Sequence, residues 1–152
     1  LSTYTGPDLP LTSADVRAWL AAQFTGPEFS GVVFEQGPEP SKYPGRIVLV
    51  TPSQGGGLTL EFMFDQPSFQ IHVIGEQSRD RRVNAAAEAA ERLIYQVDRA
   101  ILTAQWPQQI AGHHVTHMQR FGSGPSPLPT DSAGRAHFVA TYLAEAESGY
   151  AR

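Results

Sequence analysis

The longest regular pattern in this chain is helical. Between Arg81 and Ala104, Val83, Ala87, Ala90, Ile94, Val97 and Ile101 recur at intervals of 4, 3, 4, 3 and 4, so they form one apolar stripe down a single helix. Alanines at 85, 86, 87, 89 and 90 raise helix propensity and let the first half approach a sheet closely. Glu88, Glu91, Arg92 and Arg99 fall on the other side and read as a solvated face. Ser78 or Asp80 is the expected cap, and Pro107 stops the element. A shorter helix opens at Leu11-Thr-Ser-Ala-Asp-Val, with Thr12 or Ser13 as N-cap and Asp15 favourable in the first turn. Val16, Trp19, Leu20 and Phe24 share its apolar face, and Gly26-Pro27 ends it.

Elsewhere the period is two. Ile47-Val-Leu-Val-Thr51 is a β-branched run of the kind covered on both faces of a sheet. Leu58, Leu60, Phe62 and Phe64 alternate with Thr59, Glu61, Met63 and Asp65, and Phe69, Ile71 and Val73 resume the apolar face. Asp65-Gln-Pro-Ser68 reads as the turn of a β-hairpin between those two runs. Val115 to Phe121 and Ala136 to Glu145 complete the strands, and in the last of them Phe138, Ala140, Tyr142 and Ala144 alternate with Val139, Thr141 and Leu143, so both faces are fairly apolar. Val32 to Phe34 adds a short extended piece before a loop from Glu35 to Arg46.

The order α-β-β-β-α-β-β predicts an α+β protein: one mixed, mostly antiparallel sheet of about five strands with two main helices. Residues 1 to 152 are expected to form a single domain with an extended arm over about residues 1 to 11.

Composition narrows the chemistry. The chain has no cysteine, which removes disulfides, thiolate metal sites and cysteine nucleophiles together. Net charge is −4, charged residues are 17% of the total, and Lys42 is the one lysine. Such a surface argues against tight nucleic-acid binding, which depends on cations neutralising phosphates. No apolar run approaches the ~20 residues that span a bilayer, and Leu1 to Pro7 carries neither the basic nor the apolar region of a secretion signal.

Candidate catalytic groups do not assemble into a motif. His113, His114 and His117 have metal-ligand residue types, but on a strand positions four apart are separated by about 13 Å and neighbours point to opposite faces. A metal-binding enzyme or ligand-binding domain would have to draw His72 and His137 in beside His113 and His117. Ser123 and Ser126 lie in a Pro-rich loop without a nucleophile elbow. Glu61 and Asp65 are too far apart along one strand for joint acid–base work. Gly55-Gly-Gly57 lacks the Lys-Ser or Lys-Thr of a phosphate-binding loop. The reading is therefore of a non-enzymatic protein without cofactor or metal.

The loop from Gly122 to Arg135 is long for a strand connection. Pro125, Pro127 and Pro129 restrict it, and Leu128 is the isolated apolar residue between two of them. It reads as a semi-rigid finger that docks on a neighbour, with Leu128 and the three prolines as interface candidates. The sequence of elements from Ile47 to Glu147 resembles the tail terminator proteins of long-tailed bacteriophages. It carries Gln70-Ile-His-Val-Ile-Gly-Glu76, a helix, a short linker, a strand, Pro125-Ser-Pro-Leu-Pro-Thr-Asp131, and Gly134-Arg-Ala-His-Phe138 before the last strand.

The resemblance implies a homo-oligomeric ring, usually a hexamer, on the head-proximal end of the tail tube. The ring ends tube polymerisation. It also implies contacts with the major tail tube protein below and a head-completion or stopper protein above. DNA passes non-specifically through the lumen, and no membrane is involved. The resemblance implies no active-site residues. The subunit would reside in the virion after assembly in the host cytoplasm, and the same features suit another neck, or head–tail connector, component. A sheet with one apolar face covered by helices leaves Glu61, Asp65, Gln70 and His72 as expected lumen residues on its other face.

Overall fold

In the computed structural model, which describes residues 9–37, 40–53, 58–59, 64–77, 83–122, 124–130 and 134–147, both helices lie on one side of a single twisted sheet. Helix α1 (Ser13–Ala22) begins at Thr12. The Thr12 side chain accepts from the Asp15 backbone, and Asp15 accepts from the Thr12 N–H, a reciprocal capping box. The element ends ahead of Gly26-Pro27, as the sequence anticipates, and a single 3-10 turn follows over Pro27–Phe29. Val16, Trp19 and Leu20 are buried and Phe24 is half-buried.

Strand β1 (Val33–Gln36) pairs parallel with β2 (Ile47–Pro52). Ile47 to Thr51 is buried throughout, the outcome expected of a run apolar on both faces. The short β3 (Leu58–Thr59) and β4 (Phe64–Asp65) pair antiparallel, and β5 (Ser68–Ile74) lies between β2 and β9 (His137–Glu147). Helix α2 (Val83–Leu102) crosses β5, β7 (His113–Arg120) and β9, while α1 covers β1, β2 and β6 (Gln108–Ile110). A short β8 (Ser126–Leu128) extends the far side of β9. Counted as separate segments there are nine strands among the described residues rather than about five, and the α+β class stands. The extra segments arise where proline or a loop interrupts a strand and where short strands fill connections.

One such interruption corrects the expected hairpin. Phe64 and Asp65 pair with Glu147 and Ala146, and Ser68 to Ile74 pair with Leu143 to His137. These pairings share one register, so β4 and β5 are two parts of one strand running along β9. Asp65-Gln-Pro-Ser68 is not a turn. Pro67 still accepts from the Ala144 N–H at 2.9 Å, but it has no N–H to return, and the ladder lapses there. The hairpin is formed instead by β3 and β4, and its connection, 60–63, lies outside the described residues. The turn between β6 and β7 has positive φ at both Ala111 and Gly112, as a two-residue hairpin connection requires.

The core joins the α1 face to Val48, Val50, Phe69, Ile71, Val73, Tyr142 and Ala144 from the sheet. From α2 it takes Ala86, Ala90, Leu93, Ile94, Val97 and Ile101; Ala87 is half-buried, and the Val83 side chain lies outside the described residues. Ala90 packs close to the chain leaving β5, since a Cβ on Gly75 would come within 3.3 Å of the Ala90 methyl, so a larger side chain at either position would crowd the other.

Candidate functional site

Among the described residues, two-layer packing leaves one sheet face without a helix. Register places Gln70 and His72 of β5 on it, with His137, Val139, Thr141, Leu143 and Glu145 of β9 beside them. His117 and Gln119 of β7 pair with Glu145 and Leu143 on the same side. Most of these side chains are half-buried, and the face carries few charges.

The loop from 122 to 135 is not a free finger. After β7 the Phe121 N–H donates to the Thr141 carbonyl at 2.8 Å, and the chain bulges out and returns as β8, with Ser126 opposite Val139 and Leu128 opposite His137. The bulge and the open face enclose a hollow of about 350 Å3 that includes Gln70, Phe121, Ser126 and Thr141. Because Thr141 directs its peptide groups toward this edge, Val139 and His137 do so too, and Ser126 and Leu128 hold the strand in place. Pro127 then faces away from the sheet, with Pro125 and Pro129 at the flanking positions of the same parity. Every outward N–H that this edge would offer is replaced by a proline ring, which blocks addition of a further strand. Any partner must bind here through side chains, and two large ones are available: Leu128 is 38% exposed and Phe121 is 51% exposed.

The sheet brings together two of the histidines and separates the others. His72 Nδ1 and His137 Nε2 are 2.9 Å apart, and His72 Nε2 lies 3.3 Å from Gln70 Oε1. With the Gln70 oxygen accepting from His72 Nε2–H, His72 Nδ1 is the acceptor of a proton on His137 Nε2, and the His72 ring is neutral. Burial, reinforced by His137, lowers the His72 pKa from 6.5 to about 4. His117 pairs with Glu145, eight residues along β9 from His137, or roughly 26 Å at the rise of a strand. His113 lies on the helix side, 3.9 Å from Asp15. The four histidines are therefore not one ligand set, and among the described residues no group of three or more His, Cys, Asp or Glu converges.

The four expected lumen residues do not share a face. The common register of β4 and β5 turns Asp65 to the side of its partner Ala146, which is buried in the helix-covered core. Asp65 is half-buried there; desolvation raises its pKa, partly offset by the nearby His113. Gln70 and His72 do face the open side. Glu61 lies outside the described residues, as does Ser123. Of the residues named on the open face, Glu145 is the one carboxylate, and it accepts from Thr116 Oγ1 at 3.3 Å and from Gln66 Nε2 at 3.5 Å. The face is polar rather than acidic.

Two groupings escaped the sequence reading. Asp98, 2% exposed on α2, accepts from Tyr142 Oη at 2.8 Å and Arg120 Nε at 3.1 Å, and a second oxygen pairs with the other arm of Arg120. Burial first, then the Asp98 hydrogen bond, raises the Tyr142 pKa, and the same carboxylate holds Arg120 protonated. This network ties α2 to β7 and β9. The other is Arg135, whose buried guanidinium donates to the Gly75 carbonyl at 2.7 Å, the Tyr43 carbonyl at 2.8 Å and the Gly45 carbonyl, and so fixes the start of β9 to two loops. Both tie separate elements together and read as structural.

No family model matches the chain, and no curated protein matches it in sequence. Among solved structures, a chain described as the virion of a native gene transfer agent particle is similar to it, with a TM-score of 0.55 and 13% identity. The likeness covers 89% of this chain and 95% of that one, so the two share a fold over nearly their whole lengths and not merely a motif.

Proposed function

We propose that this protein is a non-enzymatic structural component of a virion: a tail terminator subunit that assembles with copies of itself into a six-membered ring on the head-proximal end of a tail tube. The observation that carries this reading is the fold shared with a virion chain over 89% of this chain and 95% of the other. The open sheet face supports it, because a half-buried polar and apolar surface with a strand-blocking edge suits contact with further subunits through side chains. In this assignment Leu128 and Phe121 meet a neighbouring subunit or the major tail tube protein, with Pro125, Pro127 and Pro129 shaping the edge. Gln70 and His72 lie toward the lumen. A face with few charges lets DNA pass without phosphate binding. A stopper or head-completion protein occupies the other side of the ring.

Another neck component would share fold and symmetry, and fold alone does not separate the two. Function does. Particles that lack the protein are expected to carry tubes that grow past their normal length, and purified protein added to polymerising tube subunits is expected to arrest them. Tubes of normal length without the protein would move the assignment to another component of the neck.

A further inference from the structure

Burial follows one side of α2, and the opposite side carries a second regular stripe. Ala85, Glu88, Arg92, Tyr95, Arg99 and Leu102 are all exposed and recur at intervals of 3, 4, 3, 4 and 3. That is the spacing of a helix–helix seam, and the six positions run about 25 Å along the helix. Tyr95 is 47% exposed and Leu102 41%, so two large side chains stand in solvent on one line. Among the described residues, Glu88, Arg92 and Arg99 have no ion-pair partner.

The stripe is its own complement when reversed. From Ala85 onward it reads Ala, Glu, Arg, Tyr, Arg, Leu, and a second copy laid antiparallel reads Leu, Arg, Tyr, Arg, Glu, Ala. Glu88 then meets Arg99, Arg92 meets Tyr95, and Leu102 rests on the small Ala85. Each pair occurs twice about a two-fold axis at the level of Leu93 and Ile94. The first is an opposite-charge pair and the second sets a guanidinium against an aromatic ring. A parallel pair would instead face Glu88 with Glu88, Arg92 with Arg92 and Arg99 with Arg99, like charge on like. Sliding the antiparallel pair by seven residues strips the partners from Arg99 and Leu102, or from Ala85 and Glu88.

We propose that the outer face of α2 binds the same face of a second copy, as an antiparallel two-fold helix pair held by Glu88–Arg99 and Arg92–Tyr95 contacts. Arg92, Tyr95 and Arg99 also border a hollow of about 400 Å3 lined by Phe24 and Phe29, so the facing side chains meet apolar surface beside the seam. Neighbours in a six-membered ring meet through two different surfaces, whereas this contact joins one surface to itself. It therefore pairs free subunits through the helix layer, leaves the open sheet face untouched, and stands independently of the ring reading.

Sedimentation velocity of the purified chain, over about a hundredfold range of concentration, is expected to show a monomer–dimer equilibrium. Glu88→Arg or Arg99→Glu replaces two attractions by two repulsions, and each should weaken dimerisation at least tenfold. Combining the two substitutions exchanges the signs of the pair and should restore affinity to within about threefold of the parent. Both positions are exposed, so circular dichroism and thermal melting should stay unchanged in all three variants. The absence of native cysteine lets disulfides report the register separately. Glu88→Cys and Arg99→Cys proteins, mixed and oxidised, should link to each other at least tenfold faster than either links to itself, because like positions stand about 16 Å apart in the antiparallel pair. A chain that stays monomeric, a larger assembly indifferent to these charges, a double variant no better than the single ones, or self-linking as fast as cross-linking would overturn the proposal. Rings in virions without such dimers would leave the ring reading intact, and dimers of a chain that forms no ring would leave this contact standing.

Discussion

Asp98 holds Tyr142 and both arms of Arg120 from a position 2% exposed. Asp98→Ala leaves a buried hydroxyl and a cation without their acceptor, and is expected to cost about 3 kcal/mol in urea unfolding. Replacing all three groups together, with Asp98→Leu, Arg120→Met and Tyr142→Phe, should recover most of that loss, because no polar group is then stranded. His72 governs a pH effect. Its pKa falls from 6.5 unfolded to about 4 folded, so between those values the unfolded chain binds more protons. Its contribution to stability is therefore complete above about pH 6.5 and is lost as pH falls toward 4, and His72→Gln should flatten that part of a melting-temperature profile. Residue types alone drew attention to the histidines. They did not reveal that His72 and His137, 65 positions apart, would meet while His113 and His117 would not. Pairing of that kind depends on strand register, which a single sequence does not specify. The Asp98 network was hidden for a similar reason: an acid in an apolar helix stripe looks like a break in the pattern until its partners on two distant strands are known.

Helix α2 followed from its period because burial and periodicity have the same cause: Ala90, Ile94, Val97 and Ile101 are buried, and Ala86 and Leu93 widen the stripe. Ile94→Ala removes a fully buried side chain at the centre of the helix–sheet contact and should cost about 2–5 kcal/mol in chemical denaturation. Thr12→Ala breaks the capping box of α1 and should cost about 1 kcal/mol. The strands were legible as segments and not as partners. Pro67 was read as a turn signal, yet its φ is compatible with extended backbone and only one ladder bond is lost, so β4 and β5 remain collinear. That single difference moves Asp65 to the opposite face from Gln70 and His72. The prolines at 125, 127 and 129 were also read by composition, as a finger. Their alternation is better explained by an edge strand in which one parity must not donate.

At the scale of the whole molecule, one sheet face is closed by helices and the other is open among the described residues, and the proposed ring has to account for the open one. Leu128→Asp should preserve the fold, since the side chain is already 38% exposed and the β8 pairing is made by the backbone. It should nevertheless reduce infectious particles by at least tenfold, because a carboxylate would be desolvated in the contact; normal titres would remove Leu128 from the interface. The central claim is that copies of this chain form a closed ring at the top of a tail tube. A density map of assembled particles, into which this fold can be placed, tests it most directly. The account predicts six copies around the tail axis where the tube meets the neck, with Gln70 and His72 toward the lumen. Copies found along the body of the tube, in the head shell, or as an unclosed pair would contradict it.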